Sequence, residues 1–482
     1  MRGFLRQVAD ADERLMRQVA SAHSPVLDKV LPTLGRAANN SLLWMGVAGA
    51  LALTGNPRAR RAAMRGLAAV AITSASVNLF GKGLTGRRRP SPEAVPLSRR
   101  LRRAPITTSF PSGHSASAAA FATGVALELP GVAAPVAVAA AAVAASRVFT
   151  GAHHPSDVVA GVAIGVGVGL ATRRWWPLRP PVAAEAAQPR HEAPALPTGD
   201  GLIMVVNSSA GSSGEDVVTA VRAELPDADV TLAGPDDDLE ALFTAAASRA
   251  TVLGVAGGDG TVNLAARAAS EARLPLFVVP GGTLNHFAGD IGVAGVPEAA
   301  AALRAGEAVA VDLGTVSDGG IFLNTSSIGV YVDLVHAREK LEGKIGKWPA
   351  ALVGLVQVLR HSSPTQVEVD GRRRKVWLLF AGNCHYAPPG MVPSHRPRLD
   401  DGSLDIRIVD GGQPFGRLRL VLAVLTGTLA TCRVYEARTA RSVRLRSPRP
   451  LGLSLDGEVT RTDAAVTIGK SDKALIVYRP AG

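Results

Sequence analysis

Cysteine is almost missing from this chain: Cys384 and Cys432 are the two in 482 residues, far apart and without metal-ligand spacing. A disulfide framework and a cysteine-based zinc site are therefore unsupported. Aromatic residues are scarce too, at 4 %, although the formal net charge is +12. A basic chain suggests nucleic acid, but there are few rings here to stack bases, and the charge sits in the Ala/Val/Gly/Leu-rich half. Residues 1–180 hold 22 Lys+Arg against 7 Asp+Glu, a net +15, which leaves −3 for the remainder. A basic membrane-embedded half and a near-neutral soluble half, without nucleic acid, is the simpler reading. No cleavable signal is convincing, because residues 1–40 are amphipathic and carry Asp and Glu throughout.

What is present divides the chain. Apolar positions from Phe4 to Val30 recur at helical spacing among charges, which suits an interfacial helix or an ordinary amphipathic one. Apolar runs follow at 41–55, 62–81, 115–129, 132–149 and 157–172. Each is near or slightly below the ~20 residues that span a bilayer. Five transmembrane helices are predicted, with a soluble alanine-rich bundle as the alternative. Trp175 and Trp176 suit a membrane–water interface, and a Pro/Ala-rich linker covers 176–200. From Leu202 the pattern becomes strand, glycine-rich turn, helix. The expectation is multidomain: a helical bundle at 1–175, then an α/β lobe at 201–313 and a β-rich lobe at 314–482. Leu418–Leu429 reads as a buried or membrane-touching helix.

The first half concentrates its chemistry in Ser146–Asp157, between two apolar runs, where charge is costly and usually functional. His153 and Asp157, four apart, lie near one face of a helix opening at Pro155. A structural His–Asp cap is the bland reading. Two further pieces accompany it: Lys82 through Arg89-Pro90, and Pro111-Ser112-Gly113-His114. Together the three resemble the motifs of the type 2 phosphatidic acid phosphatase superfamily, over about residues 1–175. The chemistry agrees, since a transferring phosphoryl group needs cations on its equatorial oxygens, which Lys82, Arg89 and Arg147 can supply. Ser112 and Gly113 open a helix whose positive dipole end favours anions. The resemblance implies that His153 attacks phosphorus, Asp157 orients it and His114 protonates the leaving alcohol, with no metal. The extra arginines Arg87, Arg88, Arg99, Arg100, Arg102 and Arg103 suit anionic headgroups or an ordinary solvated loop.

In the second half, Gly257-Gly258-Asp259-Gly260-Thr261 follows an apolar strand, where glycines let backbone N–H groups approach phosphates. It is joined by Pro280-Gly281-Gly282-Thr283-Leu284-Asn285 and by Asn207 at the end of the first strand. The set resembles the diacylglycerol kinase catalytic domain, in a superfamily that also holds NAD, ceramide and sphingosine kinases. The resemblance implies transfer of the ATP γ-phosphate to a lipid hydroxyl, with Mg²⁺. Asp259 would lie near nucleotide and metal, and Glu458 would be the general base. Asp400, Asp401 and Asp405 resemble an acidic turn that holds a structural metal, or form an ordinary exposed turn. Leu264 and His286 stand where the family usually carries Glu and Asp, so a weakened or non-catalytic, sensing kinase half is the rival reading.

ATP is cytosolic, which puts the kinase half inside and, by helix parity, the three phosphatase pieces on the opposite face of the plasma membrane. Arg58, Arg60, Arg61, Arg173, Arg174 and Arg179 then fall inside, as expected. The arginine-rich 82–105 loop falls outside, and phosphate binding gives its cations a separate reason to exist. The expected partners are a lipid phosphate, a neutral lipid and ATP.

Overall fold

The computed structural model describes residues 2–22, 24–81, 86–91, 93, 95–100, 107–178, 183–186, 191–209, 214–282, 285–330, 332, 362–387, 395–426 and 428–480. The chain forms two compact units, Met1–Leu178 and Arg179–Gly482.

The first unit is built of α1 (Arg2–Ser21), α2 (Pro25–Ala37), α3 (Leu42–Leu53), α4 (Pro57–Ser76), α5 (Gly113–Glu128), α6 (Ala133–Phe149) and α7 (Pro155–Trp175). Proline opens α2, α4 and α7, where its missing N–H costs nothing. Among the described residues, three stretches are long and apolar enough to cross a membrane: Pro57–Leu79, Pro130–Phe149 and Pro155–Trp175. The other two expected spans are helices of 12 and 16 residues, short of the usual ~20. The α5 run stops at Pro130, and Ser115–Phe121 is buried on every face, so α5 is the inner helix of the bundle. Hydropathy alone does not separate a buried helix from a lipid-facing one.

Glycines every four residues seat α7 on α5. A Cβ on Gly161 would lie 2.5 Å from the Ser112 carbonyl oxygen, and one on Gly165 2.2 Å from that of Ala116. One on Gly169 would lie 2.7 Å from Thr123. Small residues at this spacing let helix backbones touch. At the far end of the same helices the buried Arg65 donates to Glu128 at 2.8 Å and Thr172 at 3.0 Å, and stacks over Trp176.

The second unit begins with β1 (His191–Glu192), followed by β2 (Leu202–Asn207), β3 (Asp229–Ala233), β4 (Val252–Gly257) and β5 (Leu276–Pro280). β2 to β5 are parallel in the order β3–β2–β4–β5. Between and after them run α8 (Gly214–Glu224), α9 (Leu239–Ala247), α10 (Asp259–Ala272), α11 (His286–Asp290) and α12 (Val296–Ala305). Continuous burial along β4 is the pattern of a parallel strand covered on both faces.

An antiparallel lobe follows: β6 (Glu307–Val316), β7 (Ile321–Phe322), β8 (Thr325–Gly329), β9 (Thr365–Val369), β10 (Arg372–Asn383) and β11 (Leu404–Asp410). It continues with α13 (Gly416–Thr426), β12 (Tyr435–Ala440), β13 (Val443–Arg446), β14 (Leu451–Leu455), β15 (Glu458–Thr462) and β16 (Ala465–Tyr478). β16 pairs antiparallel with β6 and β13, and parallel with β5 through Val477 and Leu276. The lobe boundary expected after residue 313 therefore falls inside β6, and β16 serves both lobes. α13 and the residue before it leave Phe415, Leu418, Val421 and Leu422 exposed, so this helix is not a buried one.

Candidate active sites

In the helical unit, the C-terminal ends of α4 and α6 and the N-terminal ends of α5 and α7 meet. Gly151, at φ +66°, turns the chain sharply after α6, and the Arg147 carbonyl accepts from the N–H groups of Ala152 and His153. His153 is buried, with Nδ1 2.7 Å from the Ser109 carbonyl oxygen. A carbonyl can only accept, so Nδ1 carries the proton and Nε2 keeps its lone pair. Nε2 faces Arg89 Nη1 at 3.1 Å. Arg89 is itself held by the carbonyls of Ala152 at 2.7 Å and Thr107 at 2.9 Å. Burial pushes the His153 imidazole below its ordinary range; Arg89 and Arg147 push the same way, and Asp157 opposes them.

Asp157 is fully buried but acts on His153 at one remove, 3.8 Å from Nδ1. Its Oδ2 accepts from the His154 N–H at 2.9 Å and from the Ser109 hydroxyl, and its Oδ1 from Arg87 at 2.8 Å. Asp157 thus fixes Ser109, whose carbonyl fixes the imidazole. Ser112 caps α5 and donates its N–H to the Asp157 carbonyl at 3.0 Å, leaving Gly113 as the first helical residue. Arg147 is buried, and its Nε has no hydrogen-bond partner among the described residues. His114 lies towards the surface, with Nε2 2.8 Å from Asn39 Oδ1. Lys82 lies outside the described residues, as do Arg102 and Arg103.

Two arginines read as headgroup ligands have structural partners instead. Arg99 is buried, bonded to Asp28 at 2.7 Å and stacked on Phe149. Arg87 bridges Asp157 to Asp12 of α1, 2.6 Å from its Nη2. Asp12 also accepts the Ser156 N–H at 2.8 Å and its hydroxyl at 2.6 Å. Ser109, Asp12 and this use of Arg87 were not legible beforehand. Asp12 is one acid among the charges of an amphipathic helix, and Ser109 acts partly through its backbone.

In the second unit, two glycine loops touch. Gly281 donates to the Gly257 carbonyl at 3.0 Å, and a Cβ on Gly282 would lie 2.4 Å from Gly258 Cα. Only glycine fits there, and the pair leaves backbone N–H groups open at the start of α10, a 14-residue helix opening at Asp259. This is a cradle that fits phosphates. Asn207 braces it by donating to Thr261 Oγ1 at 3.0 Å, and Asn285, at φ +49°, bridges the N–H and carbonyl of Gly282. Asp259 accepts the Phe287 N–H at 3.2 Å. Thr283 lies outside the described residues.

Glu458 reaches the cradle from the other lobe. The two-residue turn Asp456–Gly457, with both φ positive, sends the chain back as β15, and Glu458 Oε1 lies 2.9 Å from where a Cβ on Gly260 would be. Asp456 anchors that turn. Its carboxylate accepts from the N–H groups of Leu323, Asn324 and Thr325 and from Asn263, all within 2.8 Å. Burial pushes this carboxyl up, and the four donors oppose it. Leu264, in place of the family's acid, packs against the core of the nucleotide lobe.

The acidic turn does not fit the expected metal. Asp400 pairs with Arg398 at 3.1 Å and Asp405 with Arg407 at 2.7 Å. Asp401 is bonded by the N–H groups of His385 and Ser403 at 2.7 and 2.9 Å. Among the described residues, the carboxylate and thiol atoms that do converge within 4.8 Å of one another belong to Asp312, Cys384 and Asp401.

Fold and sites together define a phosphatase-type helical domain joined to a lipid-kinase-type domain. The PAP2 superfamily model matches residues 62–181, the diacylglycerol kinase catalytic domain 201–316, and the YegS C-terminal NAD kinase beta sandwich-like domain 332–477. A "Probable lipid kinase YegS-like" of Pseudomonas fluorescens is 32% identical over 255 residues, spanning 51% of this chain and 84% of the relative. Its namesake in Pseudomonas aeruginosa is 30% identical over 248 residues, spanning 49% and 79%. The chain belongs to the YegS-like lipid kinase family and carries a PAP2 domain ahead of the kinase. Among solved structures, a diacylglycerol kinase from Bacillus anthracis is 21% identical at a TM-score of 0.42, over 58% of this chain and 97% of that one. A transmembrane PAP2 type phosphatidylglycerolphosphate phosphatase from Bacillus subtilis is 22% identical at 0.28, over 35% and 86%.

Proposed function

We propose that this chain is a bifunctional membrane enzyme: a lipid-phosphate phosphatase working through a phosphohistidine, fused to an ATP-dependent lipid kinase. The observation that carries the first half is the His153 imidazole, locked through Nδ1 so that Nε2 points its lone pair beside Arg89. Nε2 attacks phosphorus, and the bond from phosphorus to the lipid oxygen breaks. Arg89, Arg147 and Lys82 balance the charge on the equatorial oxygens while His114 gives the leaving alcohol its proton. Water, losing a proton to His114, then cleaves the phosphorus–nitrogen bond and frees phosphate.

In the kinase half, the cradle of Gly257, Gly258, Gly260 and Gly282 holds the ATP phosphates at the α10 N-terminus, and Glu458 takes the proton of the lipid hydroxyl. Asp259 would hold Mg²⁺, which neutralises phosphate charge when bound with the nucleotide. The exposed apolar side chains at 415–422 support a lobe that meets lipid. With five spans and cytosolic ATP, the kinase half is cytoplasmic and the phosphatase site opens on the outer face. Leu264 favours a second reading, a nucleotide- or lipid-sensing kinase domain without turnover.

Purified wild type, His153→Ala and Glu458→Gln separate these readings. Phosphate release from phosphatidic acid and from polyprenyl pyrophosphate should vanish in the first variant alone. Transfer of labelled γ-phosphate to extracted lipid should vanish in the second alone. Unchanged release from His153→Ala removes the phosphatase mechanism. No lipid label in wild type favours the sensor, and label in a water-soluble product points to NAD.

A further inference from the structure

Lys470 is a strand residue without a motif around it, yet its ammonium is fully buried at the place where a bound metal was expected. Nζ lies 2.8 Å from the Ser403 carbonyl oxygen, 2.9 Å from Cys384 Sγ, 3.1 Å from Asp312 Oδ2 and 3.5 Å from Asp401 Oδ1. These include all three groups whose ligand atoms converge. A magnesium or calcium ion takes oxygens at about 2.0–2.6 Å. Bound to the same carboxylates, it would stand against the ammonium with nothing between two like charges. The remaining acceptor capacity is also committed. Asp312 takes the N–H groups of Gly402 at 2.9 Å and Lys473 at 2.8 Å, and Asp401 those of His385 and Ser403.

We propose that Lys470 is a built-in cation that replaces a structural divalent metal at the turn around Asp400–Gly402, so that this kinase domain needs divalent ions only with its nucleotide. The placement is economical in chain terms. Lys470 sits on β16 in register with Gly314 of β6, two residues beyond Asp312 on the partner strand. One ammonium therefore ties both strands of that ribbon to the acidic turn and to Cys384 at the end of β10. A buried lysine is tolerable when its donors are all taken and carboxylates balance its charge, and both conditions hold here.

The test uses the full chain in detergent, without nucleotide, and Mn²⁺ as the probe. Wild type should unfold at the same temperature in EDTA as in Mg²⁺, and its Mn²⁺ resonance should report no ion at the turn. Lys470→Ala leaves the buried Asp312 carboxylate facing the partly exposed Asp401 with no cation between them; its unfolding temperature should drop in EDTA and recover with Mg²⁺ or Mn²⁺. Lys470→Met, which keeps the apolar stem, serves if alanine does not fold. A wild-type Mn²⁺ site that survives Asp259→Asn and disappears in Asp401→Asn would overturn the proposal. So would a Lys470→Ala protein as stable as wild type in EDTA. Neither readout depends on kinase turnover, so this inference and the proposed activity can fail separately.

Discussion

Replacing Asp12 by asparagine should slow the phosphatase roughly tenfold, although α1 lies outside the matched PAP2 region. The carboxylate accepts three hydrogen bonds: from the Ser156 N–H, the Ser156 hydroxyl and Arg87 Nη2. An asparagine oriented to keep the Ser156 N–H turns its own NH₂ towards Arg87, donor against donor. Arg87 then loses one charge-assisted bond, of about 1.5–3 kcal/mol, while keeping Asp157 and Ser156 through Nη1. If about half of the upper figure reaches the reacting geometry, the barrier rises by about 1.5 kcal/mol, roughly a factor of ten in kcat. KM should hardly move, because Asp12 touches no lipid-facing group. The assay is phosphate release from the hydrolysed lipid in mixed micelles, for Asp12→Asn, Arg87→Ala and the double variant. Acting through Arg87, Asp12 should add little once Arg87 is gone. Fully additive losses, or an unaffected single variant, would refute the relay from Asp12 through Arg87 to Asp157.

Because burial, Arg89 and Arg147 hold the His153 imidazole below its ordinary 6.5, the neutral imidazole persists to lower pH. The acid limb of phosphatase kcat/KM should therefore lie below pH 6.5, and Arg89→Gln should raise it while lowering the rate; a limb that stays or falls contradicts this electrostatics. Gly165→Ala should destabilise the bundle by about 1–3 kcal/mol and cut phosphate release, since its Cβ meets backbone at 2.2 Å. Gly167→Ala, with nothing within 4 Å, should be harmless, and thermal unfolding of the two variants makes the comparison.

The parts that sequence motifs reveal here are those proposed to touch phosphate. Arg89 and His153 stand 64 positions apart and were paired through their motifs, and the structure brings them to 3.1 Å. The glycine pairs 257–258 and 281–282 were legible because close backbone approach demands glycine. The groups that hold these residues in place were not. Asp12 and Lys470 are ordinary charged residues whose roles come from partners far along the chain. The acidic turn resembles a family's metal-holding turn, and such a resemblance records carboxylates and not the cations folded against them. Apolar run length, likewise, does not tell the buried helix α5 from its more exposed neighbours.

β16 pairs with residues 308–316 of β6 across about 150 positions of intervening chain, and with Leu276 on its other side. Neither lobe of the kinase domain can close until that strand has been synthesised, and contacts so distant in sequence form late. The helical unit, by contrast, ends at Leu178 and is compact by itself. During translation the helical half can thus be complete while the glycine cradle is still open, and in the interval before β16 emerges the kinase domain carries the unpaired edges of β5 and β6.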